Sequence, residues 1–102
     1  MITAQEAGWI TEDKRILKNI SEMKGGSKAL RVISIYSKLI RSAAERGEDS
    51  IEIDIEPFNL ILSKDDSLNI IQQIEQYFRR YGYATVIETN EVGRVTYMSV
   101  GW

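Results

Sequence analysis

The 102-residue chain reads as one α+β domain. A helical hairpin is predicted over residues 1–47 and a β-α-β-β unit over 48–102, giving a small three-stranded antiparallel sheet covered by helices. Three observations predict this class. Two amphipathic stretches are joined by Gly25-Gly26-Ser27, the chemistry of a tight helix–helix turn. Ile51-Glu52-Ile53-Asp54-Ile55-Glu56 alternates apolar and acidic residues without a break, the period of a half-buried strand. Two runs rich in β-branched and aromatic residues close the sequence around Asn90-Glu91-Val92-Gly93, a connection suited to a hairpin.

The elements follow in order. Thr3-Ala4-Gln5-Glu6 is a capping-box pattern, so a first helix is predicted from Ala4 to about Met23 with Ala7, Ile10, Leu17, Ile20 and Met23 inward. Trp9 lies beside that stripe. Lys24-Gly25-Gly26 ends it, and Ser27 is the predicted cap of a second helix running to about Arg46. Ala29, Val32, Ile33, Tyr36, Leu39, Ile40 and Ala43 recur there at spacings of three and four. Lys28, Arg31, Lys38 and Arg41 fall on the opposite side.

The strand Ile51–Glu56 points three isoleucines inward and three acids outward, and Pro57 is expected to end it. Phe58 to Leu62 reads as an apolar loop or short turn. Ser63 then caps a third helix with acids in its first turn and Arg79-Arg80 in its last, as the dipole favours. Its predicted buried stripe is Leu68, Ile71, Ile74, Phe78 and Tyr81, widened by Ile70 and Tyr77. Strands are predicted over 83–89 and 94–100, and the hairpin they form is expected to pair with Ile51–Glu56.

Composition narrows the chemistry. The chain has neither cysteine nor histidine, which removes disulfides, Cys or His metal sites, catalytic triads and imidazole acid–base chemistry. No catalytic residue, metal ligand or cofactor is predicted. The apolar runs are too short for a transmembrane span, and MITAQEAGWITEDK lacks the features of a signal peptide, so a cytoplasmic protein is expected. The net charge of −2 is unevenly distributed. Residues 1–47 carry nine Lys/Arg and five Asp/Glu, whereas residues 48–102 carry four and ten. That asymmetry is either two solvated faces or head-to-tail complementarity between copies or partners. The basic half is too weakly basic to argue for nucleic acid.

Several residue groups invite functional readings. Glu52, Asp54 and Glu56 place carboxylates on one strand face, but no loop supplies the other ligands of a cation, so a solvated or aggregation-blocking face is the simpler reading. Lys24-Gly25-Gly26-Ser27-Lys28 precedes a helix N-terminus yet lacks the P-loop pattern and follows a helix, so a hairpin turn is the simpler reading. Lys24, Lys28, Arg31, Arg79 and Arg80 are candidates for an anionic ligand or nucleotide. Trp9, Tyr97 and Trp102 are candidate interface anchors, with core packing the alternative for Tyr97. Trp102 is expected to continue the last strand past Gly101 and to be mostly buried, on the third helix or on another subunit.

The two ends carry a resemblance. MITAQEA at the start, GYATV after the last helix and a hairpin closing on tryptophan resemble a loose group of small proteins encoded by tailed bacteriophages. These begin with a T-A-x-E-A helix and finish with a Gly-Tyr strand carrying a valine and with a terminal tryptophan. Thr3, Ala4, Glu6, Ala7, Gly82, Tyr83, Val86 and Trp102 match, and the middle of the chain does not contribute. The resemblance implies a phage origin and thus a host-cytoplasmic or virion location. With the charge asymmetry and the aromatic ends, it leads to the expectation of a non-enzymatic structural or accessory protein that contacts other protein subunits in a multi-copy assembly. The alternative is an inhibitor or anionic-ligand binder directed at a host system.

Overall fold

Thr3 opens α1 (Ala4–Ser21) with its hydroxyl accepting the Glu6 N–H at 3.1 Å, so the predicted cap forms. The computed structural model describes Met1 and residues 3–102. The helix closes at Ser21, short of Met23. Ile20 is fully buried and Ile16, Leu17 and Met23 are packed at the core margin. Ile10, predicted inward, is exposed, because the first half of α1 is flanked by the end of the third long helix and has no apolar layer of its own.

The turn into α2 (Gly26–Glu45) is tighter than the pattern implied. Gly25, at φ 78°, is the cap, and Ser27 lies inside the helix. A Cβ on Gly26 would sit 2.1 Å from the Ile20 carbonyl oxygen, so only glycine lets the two backbones approach this closely. Ala29, Ile33, Ile40 and Ala43 are buried as predicted. Leu39, predicted with them, is exposed together with Ile35.

β1 (Ser50–Asp54) ends two residues before the alternation does. Pro57 does not merely stop the strand but enters the first turn of a short helix, α3 (Glu56–Asn59), where a missing N–H leaves no bond unmade. The Asp54 carboxylate accepts the Glu56 N–H at 3.0 Å, which turns the chain out of the sheet. Ile55 and Phe58 are fully buried beneath that turn. Asn59 stitches it down: its amide donates to the Val95 carbonyl at 2.8 Å and accepts from the Ser67 hydroxyl at 3.1 Å.

Ser63 caps α4 (Lys64–Arg80) by accepting the Asp66 N–H at 3.2 Å. The buried face is Ser67, Ile70, Ile71, Ile74, Glu75 and Phe78, rotated from the predicted stripe so that Leu68 and Tyr81 are exposed. The hairpin β2 (Ala84–Thr89) and β3 (Val95–Gly101) follows. The Asn90 side chain accepts the N–H groups of Val92 and Arg94 at 3.1 and 3.0 Å, fixing its loop.

The sheet is antiparallel with strand order β1-β3-β2, so the predicted pairing of the hairpin with the first strand forms and β3 is central. Ile53, Met98 and Ile87 share one row and face the helices, as do Ile51, Val100 and Thr85. α2 packs over β1, and α4 over β2 and β3. The Cα extents of 50 × 35 × 17 Å describe a thin two-layer slab. Trp102 is not mostly buried: it is 43 % exposed, and its backbone rather than its indole holds it, donating an N–H to the Asp49 carbonyl at 2.9 Å.

Candidate interaction surface

α1 lies antiparallel to α4, tied at both ends by polar contacts. At one end Lys24 meets Asp66 at 3.6 Å. At the other, Arg80 grips Glu12 with two prongs, at 2.8 Å from Nη1 to Oε1 and 2.7 Å from Nη2 to Oε2, and the Tyr81 hydroxyl donates to the Asp13 carboxylate. The hydrogen bond from Arg80 holds the Glu12 carboxyl below its usual range, and the same bond raises the guanidinium. Desolvation, then the Asp13 contact, pushes the Tyr81 phenol up, and desolvation likewise raises that of Tyr77.

Around this join the aromatic residues form a continuous run. Tyr81 and Tyr77 have ring centroids 5.2 Å apart, Tyr77 and Phe78 5.8 Å, Phe78 and Tyr83 6.1 Å, and Tyr83 and Trp102 6.2 Å, mostly edge to face. The rings border a groove of about 440 Å³ between α2 and α4, closed by Ser37 and Ile40. A second concavity of about 560 Å³ continues past Tyr81 to Trp9, Glu12 and Arg80. Phe78 is buried, whereas Trp9 is 58 % and Tyr81 52 % exposed at one end of the run. The half-exposed indole of Trp102 marks the other end. Two of the three predicted interface residues, Trp9 and Trp102, therefore belong to one surface.

Tyr97, the third, is on the opposite side of the slab. It is neither core nor part of the aromatic run: it stands 43 % exposed on the open face of the sheet. Asp54 and Glu88 flank it in register, and the next row is Glu52, Ser99 and Val86. These three carboxylates are exposed and make no ion pair among the described residues. Glu56, predicted to extend the acidic row, has left the sheet for α3.

The five predicted anion-binding residues are not brought together. Arg79 and Arg80 end α4, while Lys24 sits beside its start, about 25 Å away for a helix of this length. Arg79 donates to Glu75 and Arg80 to Glu12, so both guanidinium groups are paired, as is Lys24 with Asp66. Lys28 and Arg31 lie on α2 without an ion pair among the described residues. The Gly25-Gly26 turn offers no phosphate cradle. Leu62 would stand 2.7 Å from a Cβ on Gly25, and the α1 carbonyls crowd Gly26.

Sequence reading passed over Glu75. This buried carboxylate accepts from the Thr85 hydroxyl at 2.8 Å and from Arg79 Nη2 at 3.2 Å, while Arg79 Nε donates to Thr85 Oγ1 at 2.7 Å. The trio pins β2 to α4. Its legible trace was the Glu75/Arg79 spacing of four on one helix. The Tyr81–Asp13 bond crosses 68 positions and left no local trace. Among the described residues no group of acidic side chains is placed to hold a metal ion, and no helix is long and apolar enough to cross a membrane. Comparison with protein-family models, curated proteins and solved structures returns no match.

Proposed function

We propose that this chain is a non-enzymatic structural or accessory protein of a bacteriophage that works through contacts with other protein subunits in a multi-copy assembly. The observation that carries this reading is the exposed aromatic run from Trp9 through Tyr81 and Tyr77 to Trp102. Two tryptophans and a tyrosine left open at the two ends of one run of rings are costly for an isolated domain and suited to a partner surface, where aromatic residues are enriched. The Tyr81 hydroxyl is held by Asp13 and the neighbouring Arg80 by Glu12, so at this end a partner would meet fixed rings and paired charges. The phage assignment rests on the resemblance of the two ends.

Mass spectrometry of purified particles, combined with sedimentation velocity of the isolated chain, tests the reading. The chain is expected in particles at several copies and in solution as a complex. A stable monomer absent from particles contradicts it.

A further inference from the structure

We propose that copies of this chain stack face to tail, the outer ridge of α2 in one copy seated on the open sheet face of the next. The proposal rests on the multi-copy reading above and names the surfaces that join copies of this chain to one another, leaving the aromatic run to other subunits. The slab is 17 Å thick between Cα extremes, with the open sheet face on one broad side and the helices on the other. The open sheet face presents Glu52, Asp54 and Glu88, with no lysine or arginine among its outward residues. The α2 ridge presents Arg31 and Lys38, both exposed and without an ion pair among the described residues.

The spacing of the two charge sets agrees. Asp54 and Glu88 flank Tyr97 across the central strand, so two interstrand steps separate them, about 9.6 Å. Arg31 and Lys38 are seven residues apart on a helix, two turns or about 10.5 Å. A helix laid across the strands therefore sets one cation on each carboxylate. Between them, Ile35, 47 % exposed with no partner in its own chain's core, comes over Tyr97. Ser34, on the same ridge, leaves room for close approach. Because the two faces differ, a pair of copies keeps one of each free, and stacking continues until a ring closes or a filament forms.

Sedimentation velocity of the full chain and its charge variants tests this. The wild type is expected to self-associate and to dissociate as salt rises, since exposed charges are screened. Asp54→Lys/Glu88→Lys and Arg31→Glu/Lys38→Glu, each alone, are expected to weaken association by roughly tenfold or more. Mixed in equal amounts they restore it, because each variant then presents the complement of the other. Should a reversal disturb folding by circular dichroism, Asp54→Asn/Glu88→Gln, which keeps the Asp54 acceptor of the Glu56 N–H, replaces it; it is expected to weaken association alone and, mixed with Arg31→Glu/Lys38→Glu, to stop at pairs, because one unaltered ridge and one unaltered sheet face remain. Self-association unchanged by these variants but lost in Trp9→Ala/Trp102→Ala overturns the stacking and leaves the assembly reading standing. A wild type that stays monomeric at every salt and concentration also overturns it, and particle mass spectrometry then decides the assembly reading separately.

Discussion

The main-chain N–H of Trp102 donates to the carbonyl of Asp49 at 2.9 Å, extending the β1–β3 ladder one step beyond the Ser50–Gly101 pair. Backbone pairing holds this residue while its ring rests edge-on against Tyr83 at 6.2 Å. Trp102→Ala is therefore expected to cost only about 0.5–1.5 kcal/mol, the size of one aromatic contact. Removing Gly101 and Trp102 together takes away the ladder bonds as well and is expected to cost about 2–3 kcal/mol. Urea unfolding of the two variants checks the order, and equal losses contradict it.

Two glycines predict opposite signs for one substitution. Nothing lies within 4 Å of a Cβ at Gly8, which is inside α1, so Gly8→Ala is expected to stabilise by about 0.5–1 kcal/mol. The Ile20 carbonyl stands 2.1 Å from a Cβ at Gly26, so Gly26→Ala is expected to destabilise by about 2–4 kcal/mol. Thermal unfolding of the pair measures both.

Thr85→Val keeps the shape of the β2 residue and removes the hydroxyl that bridges Glu75 and Arg79. Glu75 then keeps the Arg79 contact but loses its second partner, a loss expected to cost about 1–3 kcal/mol. A double-mutant cycle with Glu75→Gln should show coupling, and additive effects would mean that the trio does not act as a unit.

The element order and the strand pairing were legible because Ile51–Asp54 alternates cleanly and the Asn90–Gly93 loop carries its own turn chemistry. What escaped depends on partners distant in sequence. Periodicity marks Ile10 and Leu39 as apolar but cannot say that no second layer reaches them. It cannot place Glu75 inside, because that burial requires Thr85 from another element. Pro57 punctuates correctly but serves a helix start as readily as a strand end. Of the site, Trp9 and Trp102 were legible as aromatics near the ends. Their link through Tyr81, Tyr77 and Tyr83 exists only once α1 lies antiparallel to α4.

The α1–α4 join titrates at both extremes of pH. Glu12 has a folded value below the ordinary carboxylate range, so its contribution is complete above that range and is lost as pH falls through the lowered value. Carboxyl NMR should show late protonation of Glu12, returning toward normal in Arg80→Gln. Tyr81 has a raised value, so its contribution is complete below about pH 10 and is lost as pH rises through the folded value. Phenolate absorbance should show late-titrating phenols from Tyr81 and Tyr77, and Tyr81→Phe should remove one of them.

The chain has two tryptophans, Trp9 and Trp102, and both lie on the aromatic run, so tryptophan emission reports on that surface alone. Acrylamide quenching of the dilute chain against the chain joined to its other partner subunits, rather than to stacked copies of itself, is the direct measurement. Strong quenching in the dilute chain, falling sharply with a blue shift on assembly, is the predicted result. Equal quenching in both states would mean that assembly leaves the aromatic run in water, and would contradict its role as the contact surface.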